Sequence, residues 1–426
     1  MADLHWVSPL PPAPTDVAGF TRRLLGPLQR HGALTLWTAQ EQWDETALAG
    51  VAARRLTEPP DWRALNRAGA VVWNIGNDAR FHGAILRAAR QHPGIVILHD
   101  THLLDLAVQS AADREAALAA VQHRHGAAGR RAASDLLRGR GDPGAAARAA
   151  PMLDFAAEGA LLLVTHNTAT ADALAARPDG PPVLYRPLPY PAGPEPLKAP
   201  LGRSPKRLVV FGYLAANRRL PAVIQAVASH PQRAAFHLDI YGVIEDRAGV
   251  EAAMLRHGAA DCVTLHGFVA DSALDAAIAD ADLAINLRTP SMGEASGTQL
   301  RIWRNATASL VTDEGWYATL PPDTVGFVRP SAEIADIQAH LSTLLAEPER
   351  FAAIGRRGRA QLIAEHAPEG YAAAIAQAAA AAPRLMTRAA ALTLAGRLRA
   401  RAERFPTLDR GYDRAAMAAR IAALGR

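Results

Sequence analysis

Asp280-Ala-Asp-Leu-Ala-Ile-Asn-Leu-Arg-Thr-Pro-Ser-Met-Gly-Glu-Ala-Ser-Gly-Thr-Gln-Leu-Arg-Ile-Trp303 joins an apolar run, a polar loop and the start of a helix. The run 283–287 reads as a strand buried on both faces. The loop carries Pro290, Gly293 and Gly297, and a helix is expected to begin at Ser296 or Gly297. A loop that leaves a strand and opens a helix is an anion site, because free backbone N–H groups converge there and the helix dipole adds positive charge. Ser296-Gly297-Thr298-Gln299 would aim its amides at a diphosphate, and Gly297 permits close backbone approach. Glu294 repels phosphate but suits hydroxyls, so a sugar on that phosphate is its natural partner. The same carboxylate would also serve as a first-turn group favourable to the helix dipole. Asp280-x-Asp282 spells a metal-binding pair, yet it precedes a strand; it reads as a helix-to-strand turn, and no metal is expected.

Outward from this segment, short Val/Ile/Leu runs alternate with longer Ala/Leu/Arg stretches at helical spacing. Strands are predicted at 4–9, 33–37, 70–75, 95–99 and 161–165, then at 208–213, 236–241, 263–268, 283–287 and 309–312. The repeating strand–helix order predicts α/β structure with two βα-wound, Rossmann-like halves. Between them lie Tyr185-Arg-Pro-Leu-Pro-Tyr-Pro-Ala-Gly-Pro-Glu-Pro and Ala199-Pro-Leu-Gly-Arg-Ser-Pro, too proline-rich for helix or central strand. A boundary near 190–205 divides the chain into 1–195, 196–382 and a helical extension 383–426, with the two larger domains expected to face across a ligand cleft.

Composition narrows the function classes. The chain has 426 residues, half of them hydrophobic, which excludes disordered and collagen-like proteins. One cysteine, Cys262, excludes an intrachain disulfide framework. Lys198 and Lys206 are the only lysines, so arginine supplies 44 of the 46 basic residues. With few aromatics and no stacking motif, this arginine excess does not point to nucleic acid. No signal sequence or spanning segment is read, so a cytoplasmic protein is expected, with contact at the inner face of a membrane as an option. Residues 122–150 read either as a mobile insertion or as a solvated helix pair turning at 141–144. His123-Arg-His125 lacks a third ligand and reads as solvated. In the tail, Leu394 and Leu398, with Arg397, Arg401 and Arg404 on a neighbouring face, fit a helix packed on the body or one lying on anionic lipid.

The loop pattern Leu-Arg-x-Pro-x-x-Gly-Glu-x-Ser-Gly resembles the donor loop of retaining glycosyltransferases of family 4, in a bacterial subgroup with Gly-Glu-x-Ser-Gly. Other segments resemble that family in order over roughly 1–382. They are Val209-Val-Phe-Gly-Tyr-Leu-Ala-Ala-Asn-Arg-Arg, His237-Leu-Asp-Ile-Tyr-Gly, Val263-Thr-Leu-His-Gly-Phe-Val, Asn74-Ile-Gly-Asn-Asp-Ala-Arg-Phe-His, Gly94-Ile-Val-Ile-Leu-His-Asp and Val164-Thr-His-Asn. The resemblance implies a GT-B fold, with an acceptor-binding first domain and a donor-binding second domain. It implies transfer of a hexose from a nucleotide diphosphate sugar to a glycan or glycolipid in bacterial polysaccharide or glycoconjugate synthesis, with no cofactor.

For the donor, the resemblance implies Gly212, Arg218 and its neighbour Arg219, Phe268, Ser296, Gly297, Thr298 and Gln299. For catalysis it implies Glu294 with His99 and Asp100, Asp100 holding the tautomer of His99. For the acceptor it implies Asn77, His82 and His102. Three positions depart from the pattern. Ile302 stands where a second glutamate is usual, with Arg301 beside it. Asp16 replaces a glycine before the first helix, and Tyr213 replaces an arginine. Ile302 and the altered N-terminal loop favour the alternative of a non-catalytic GT-B binding or scaffold module. A GT-B epimerase would need paired carboxylates, of which Glu294 is one. Oligomeric state is not legible.

Overall fold

The computed structural model describes residues 3–404, apart from 112, 178, 179 and 199, together with 419, 420 and 423. The chain divides into two compact units: residues up to Pro187 with those from Pro368 onward, and Leu188–Ala367.

Among the described residues, the first unit holds a parallel sheet of β1 (Leu4–Val7), β2 (Leu34–Thr38), β3 (Ala53–Arg55), β4 (Ala70–Ile75), β5 (Gly94–Leu98), β6 (Ala160–Thr165) and β7 (Val183–Tyr185), ordered β3-β2-β1-β4-β5-β6-β7. Every residue of β1, β4, β5 and β6 is buried, as expected of strands covered on both faces. Helix α1 (Asp16–Gln29) starts at Thr15, whose hydroxyl accepts from Val17 N, and it buries Val17, Phe20, Leu24 and Leu28 at helical spacing. Helix α2 (Ala79–Ala89) is capped by Asp78. Residues 122–150 form a helix pair. Helix α3 (Arg114–Leu137) kinks at Gly126, where φ is 67°, and α4 (Pro143–Ala149) follows a turn and an Asp142 cap. His125 Nε2 accepts from Met152 N.

The second unit holds β8 (Lys206–Leu214), β9 (Phe236–Ile244), β10 (Val263–Gly267), β11 (Leu283–Asn286), β12 (Ala308–Thr312) and β13 (Gly326–Val328), all parallel and ordered β10-β9-β8-β11-β12-β13. Its helices include α5 (Leu220–Ala228), α6 (Asp271–Asp280), α7 (Gly297–Arg304), α8 (Glu333–Ala346) and α9 (Pro348–Glu365). All the expected strands are present. The unexpected ones are β3, β7 and β13, three-residue strands at sheet edges. Asp280 and Asp282 do form the turn from α6 to β11, and Arg203 bridges both carboxylates.

The course of the chain differs from the sequence expectation at both crossings. Residues 188–193 belong to the second unit: Tyr190 N donates to His366 O, and the Arg359 guanidinium donates to Ala192 O and Gly193 O. Residues 368–382 do not complete the second domain. Helix α10 (Pro368–Ala380) buries Tyr371, Ala372, Ile375 and Ala379 and packs on α1 of the first unit. Helix α11 (Ala382–Arg404) follows, with Leu394 exposed. The side chains of Leu398, Arg401 and Arg404 lie outside the described residues. No helix among the described residues is long and apolar enough to cross a membrane.

Helix α9 fixes the base of α7 by close backbone packing. A Cβ on Gly355 would stand 2.2 Å from Ala306 O, and one on Gly358 would stand 2.2 Å from Trp303 Cδ1. Gly355→Ala is therefore expected to lower unfolding free energy by about 2 kcal/mol. Gly370→Ala, where nothing lies within 4 Å, should be neutral or stabilise by up to about 1 kcal/mol. Urea denaturation of the two variants checks the contrast.

Candidate functional site

In the second unit the strand order reverses between β8 and β11, so the loops leaving those strands meet at the switch point where open α/β sheets place ligands. The β8 loop contains a 3₁₀ turn, Ala216–Arg218, and the β11 loop runs through 287–296 into α7. The two are tied together by Thr289 N donating to Asn217 O (2.9 Å). Two bonds tie the β11 loop to the end of β12: Arg288 N donates to Thr312 Oγ1 (2.9 Å), and Thr289 Oγ1 donates to Glu314 Oε2 (2.5 Å).

Arg218 is buried beneath this crossing. Its Nη1 donates to Asn286 Oδ1 (2.8 Å), Asn286 Nδ2 donates to Gln299 Oε1 (3.1 Å), and Gln299 Nε2 donates to Ser309 Oγ (2.7 Å). A guanidinium can only donate, so the direction of every bond in the chain is settled by its first member. Gly212, at φ 119°, places its backbone beside both Arg218 and Thr298: a Cβ there would lie 3.9 Å from Arg218 Nη2 and 3.9 Å from Thr298 Oγ1. Helix α7 opens at Ser296, whose hydroxyl accepts from Gln299 N (3.1 Å). That cap uses the Gln299 amide and leaves Gly297 and Thr298 as the amides at the helix tip. A Cβ on Gly297 would meet nothing within 4 Å, so the space before the tip is open.

Glu294 is buried and bound within its own loop. Its carboxylate pairs with Arg288 and accepts from Met292 N (2.7 Å) and Ser291 Oγ (3.3 Å). Burial pushes the carboxyl up, but the Arg288 charge and these hydrogen bonds outweigh it and hold the group below the usual carboxylate range. Arg219 turns away from the Arg218 chain, with φ 57°, and pairs with buried Glu333 at the start of α8 (2.9 Å). Tyr213, Val243 and Phe268 stand exposed at the ends of β8, β9 and β10.

In the first unit a second cluster forms where β4 and β5 end. Asn74 Nδ2 donates to Val7 O (3.0 Å), so its Oδ1 is the acceptor facing His99 Nε2 (3.1 Å), which carries the proton. Asn74 O accepts from His82 Nδ1 (3.0 Å). Asp100 Oδ2 accepts from Asn77 N (2.7 Å), and Asn77 Oδ1 accepts from Leu106 N (3.1 Å). Burial pushes the His82 imidazole down to about 4. Burial, followed by the neighbouring His166, His82 and Arg23, holds His99 well below the usual imidazole range. His102 is half-buried, with Nδ1 lacking a hydrogen-bond partner among the described residues.

No protein-family model matches the sequence, and no curated protein matches it. Solved structures do. HepE from Anabaena, solved with UDP and glucose, superimposes with a TM-score of 0.62 at 12% identity, over 89% of this chain and 99% of that one. Sucrose-phosphate synthase from Thermosynechococcus elongatus gives 0.60 at 15% identity, over 88% and 98%. WaaG, a glycosyltransferase involved in lipopolysaccharide biosynthesis, gives 0.58 at 14% identity, over 87% and 99%.

The chain has the GT-B fold. Within its second GT-B unit, the structure brings Gly212, Arg218, Gly297 and Thr298 together and separates Arg219 from them, because Arg219 is spent on Glu333. Gln299 faces inward, and its amide serves the Ser296 cap. Glu294 is not a bare carboxylate; the residue missed beside it is Arg288, quoted in the sequence segment without a role. In the first GT-B unit, Asp100 does not hold His99. Asn74 does, and Asp100 turns instead to the Asn77 amide. Asn74, Asn286 and Ser309 are further positions the sequence did not single out, since polar residues at strand ends carry no local mark of their partners.

Among the described residues, no group of three or more His, Cys, Asp or Glu is placed to hold a metal ion.

Two measurements follow from this geometry. Gln299→Leu strands Asn286 Nδ2 and removes the donor to Ser309, so it should destabilise the fold by about 2 kcal/mol or more in denaturant titration, whereas Thr298→Ala, nearer the open tip, should cost far less. His82 binds its proton less tightly folded (about 4) than unfolded (6.5). Its contribution to stability is therefore complete above pH 6.5 and declines as pH falls toward 4, by about 3 kcal/mol in all. His82→Gln should flatten that part of the stability–pH curve.

Proposed function

We propose that the chain is a metal-independent, retaining glycosyltransferase that moves a hexose from a nucleoside diphosphate sugar to a hydroxyl of a glycan or glycolipid in polysaccharide or glycoconjugate synthesis. One observation carries the reading: a buried arginine, Arg218, is fixed beside the open N-terminal tip of α7 and across from Gly212. This is a cradle for a pyrophosphate, with a fixed cation on one side and the Gly297 and Thr298 amides on the other. HepE, similar in fold, was solved with UDP and glucose, which supports a uridine diphosphate sugar as the donor class.

In this reading the nucleoside lies toward Tyr213, Val243 and Phe268. As the anomeric C–O bond breaks, charge accumulates on the departing diphosphate, where Arg218 and the helix-tip amides stabilise it by about 3 kcal/mol for each well-placed donor. The leaving phosphate takes the acceptor proton while the new C–O bond forms on the same face. Glu294, already held by Arg288, keeps lone pairs for a sugar hydroxyl. His99 offers Nδ1 as a hydrogen-bond acceptor on the acceptor side. Asp280 and Asp282, tied up by Arg203, are left out of the chemistry. A non-catalytic nucleotide-sugar module is the second reading, favoured by Ile302, which lies in the hydrophobic core where the resemblance implies a carboxylate.

The test is a thermal-shift titration with UDP, GDP and dTDP sugars, joined to an assay for nucleotide release. One donor at a hundred times its dissociation constant should stabilise the protein by about 2.7 kcal/mol. Arg218→Met should abolish that shift. Gly297→Ala should leave stability intact while weakening affinity roughly ten-fold, because the added methyl occupies the approach to the tip. Binding without release of UDP to any acceptor would select the second reading, and no binding at all would end both.

A further inference from the structure

Two imidazoles stand side by side at the ends of β5 and β6. Leu98 pairs with Thr165 in the parallel register, so His99 and His166 leave neighbouring strands at one level. Their ring centroids are 5.4 Å apart at 45°. Phe20 of α1 meets His99 edge-on, at 4.7 Å and 79°, and lies 5.8 Å from His166. Tyr371 of α10 closes the group, 5.6 Å from Phe20 at 89° and 5.7 Å from His166. Phe20, His166 and Tyr371 are all buried.

Hydrogen bonds orient both imidazoles. His99 Nε2 donates to Asn74 Oδ1, and His166 Nδ1 donates to the Arg186 carbonyl (3.0 Å), which can only accept. The charged or titratable groups that act on His99 are His166 from β6, His82 from α2 and Arg23 from α1, and the adjoining Asp100 accepts from the Asn77 amide. Tyr371 adds no charge, because burial pushes its phenol well above the ordinary range. Its hydroxyl is buried without a hydrogen-bond partner among the described residues. The contribution of Tyr371 to this cluster is therefore its ring, and the hydroxyl is carried at a cost.

We propose that Tyr371 is a positioning residue for His99 that acts through Phe20 and His166: its ring, brought back to the first unit by α10, backs those two rings, limits the water that reaches the half-buried His99 and holds it with Nδ1 presented as an acceptor. The C-terminal segment thereby becomes part of the acceptor-side machinery, although it lies more than two hundred residues from His99 in sequence. The inference deepens the glycosyltransferase reading and rests on it for the role of His99. The placement of His99 by Tyr371 can nevertheless be measured without any activity.

The experiment uses the full chain with Tyr371→Leu and Tyr371→Phe. The His99 imidazole is titrated by ¹⁵N NMR, alongside UDP affinity and transfer to acceptor. With leucine, the packing behind Phe20 and His166 loosens, more water reaches the imidazole, and the His99 titration should move up by about one unit. Transfer should fall roughly ten-fold while UDP affinity stays the same. Tyr371→Phe, which keeps the ring, should retain the wild-type titration and transfer and be at least as stable. If the leucine variant is recovered unfolded, Tyr371→Met carries the same measurement. An unmoved His99 titration overturns the inference, as does a phenylalanine variant that shifts as far as leucine. A wild-type chain that binds no nucleotide defeats the glycosyltransferase reading instead, and the titration still decides the placement of His99.

Discussion

A buried guanidinium, held through Nη1 by Asn286, is the constraint on which the second unit is organised. Arg218 lies beneath two crossing loops, where an uncompensated charge would be very costly. It is held through a relay in which each member has one bond direction open to it, from Asn286 to Gln299 to Ser309. The relay links the end of β11, the start of β12 and the first turn of α7, so the cation, the two strands and the helix tip cannot shift independently. A fixed charge beside fixed amides needs no reorganisation to meet an anion.

The backbone makes the same demand. Gly212 pairs with Gly242 in the β8–β9 register, and a Cβ on Gly242 would stand 2.0 Å from Gly212 O. Both residues have φ near 117°, a conformation closed to ordinary side chains. The ends of β8 and β9 are thus brought into close backbone contact beside Arg218. The β11 loop is held shut on itself by Arg288 and Glu294, so its shape does not depend on a ligand. Together these features produce a preformed surface, which lowers the ordering cost that binding must overcome.

Much of the fold was legible because buried parallel strands leave continuous apolar runs, and the residues from Leu283 to Asn286 show this clearly. The edge strands were not legible: Ala53-Arg-Arg is largely exposed and has no apolar run, and Val183-Leu-Tyr, apolar but only half-buried, is three residues long. Ser296 followed by glycine marked the start of α7 because capping is local chemistry, set within three residues. The partners of Arg219, Glu294 and Gln299 were hidden for the opposite reason, since Glu333, Arg288 and Asn286 become neighbours only through loop closure and sheet order. The return of α10 to the first unit was equally hidden. Its alanine-rich face suits either core, and Tyr371 acquires meaning only beside Phe20 and His166.

The two units handle charge in contrasting ways. In the second unit the buried charged group is arginine, permanently charged and fixed by an acceptor. In the first, burial keeps His82 and His99 neutral, with Asn74 fixing the proton on each: Nδ1 of His82 and Nε2 of His99. A neutral imidazole offers a hydrogen-bond acceptor without adding positive charge. Aspartate in the place of Asn74 would undo this, because a buried carboxylate beside His99 favours the imidazolium. The uncharged amide therefore holds His99 and leaves it neutral, while the carbonyl of the same residue, which no substitution at Asn74 removes, holds His82.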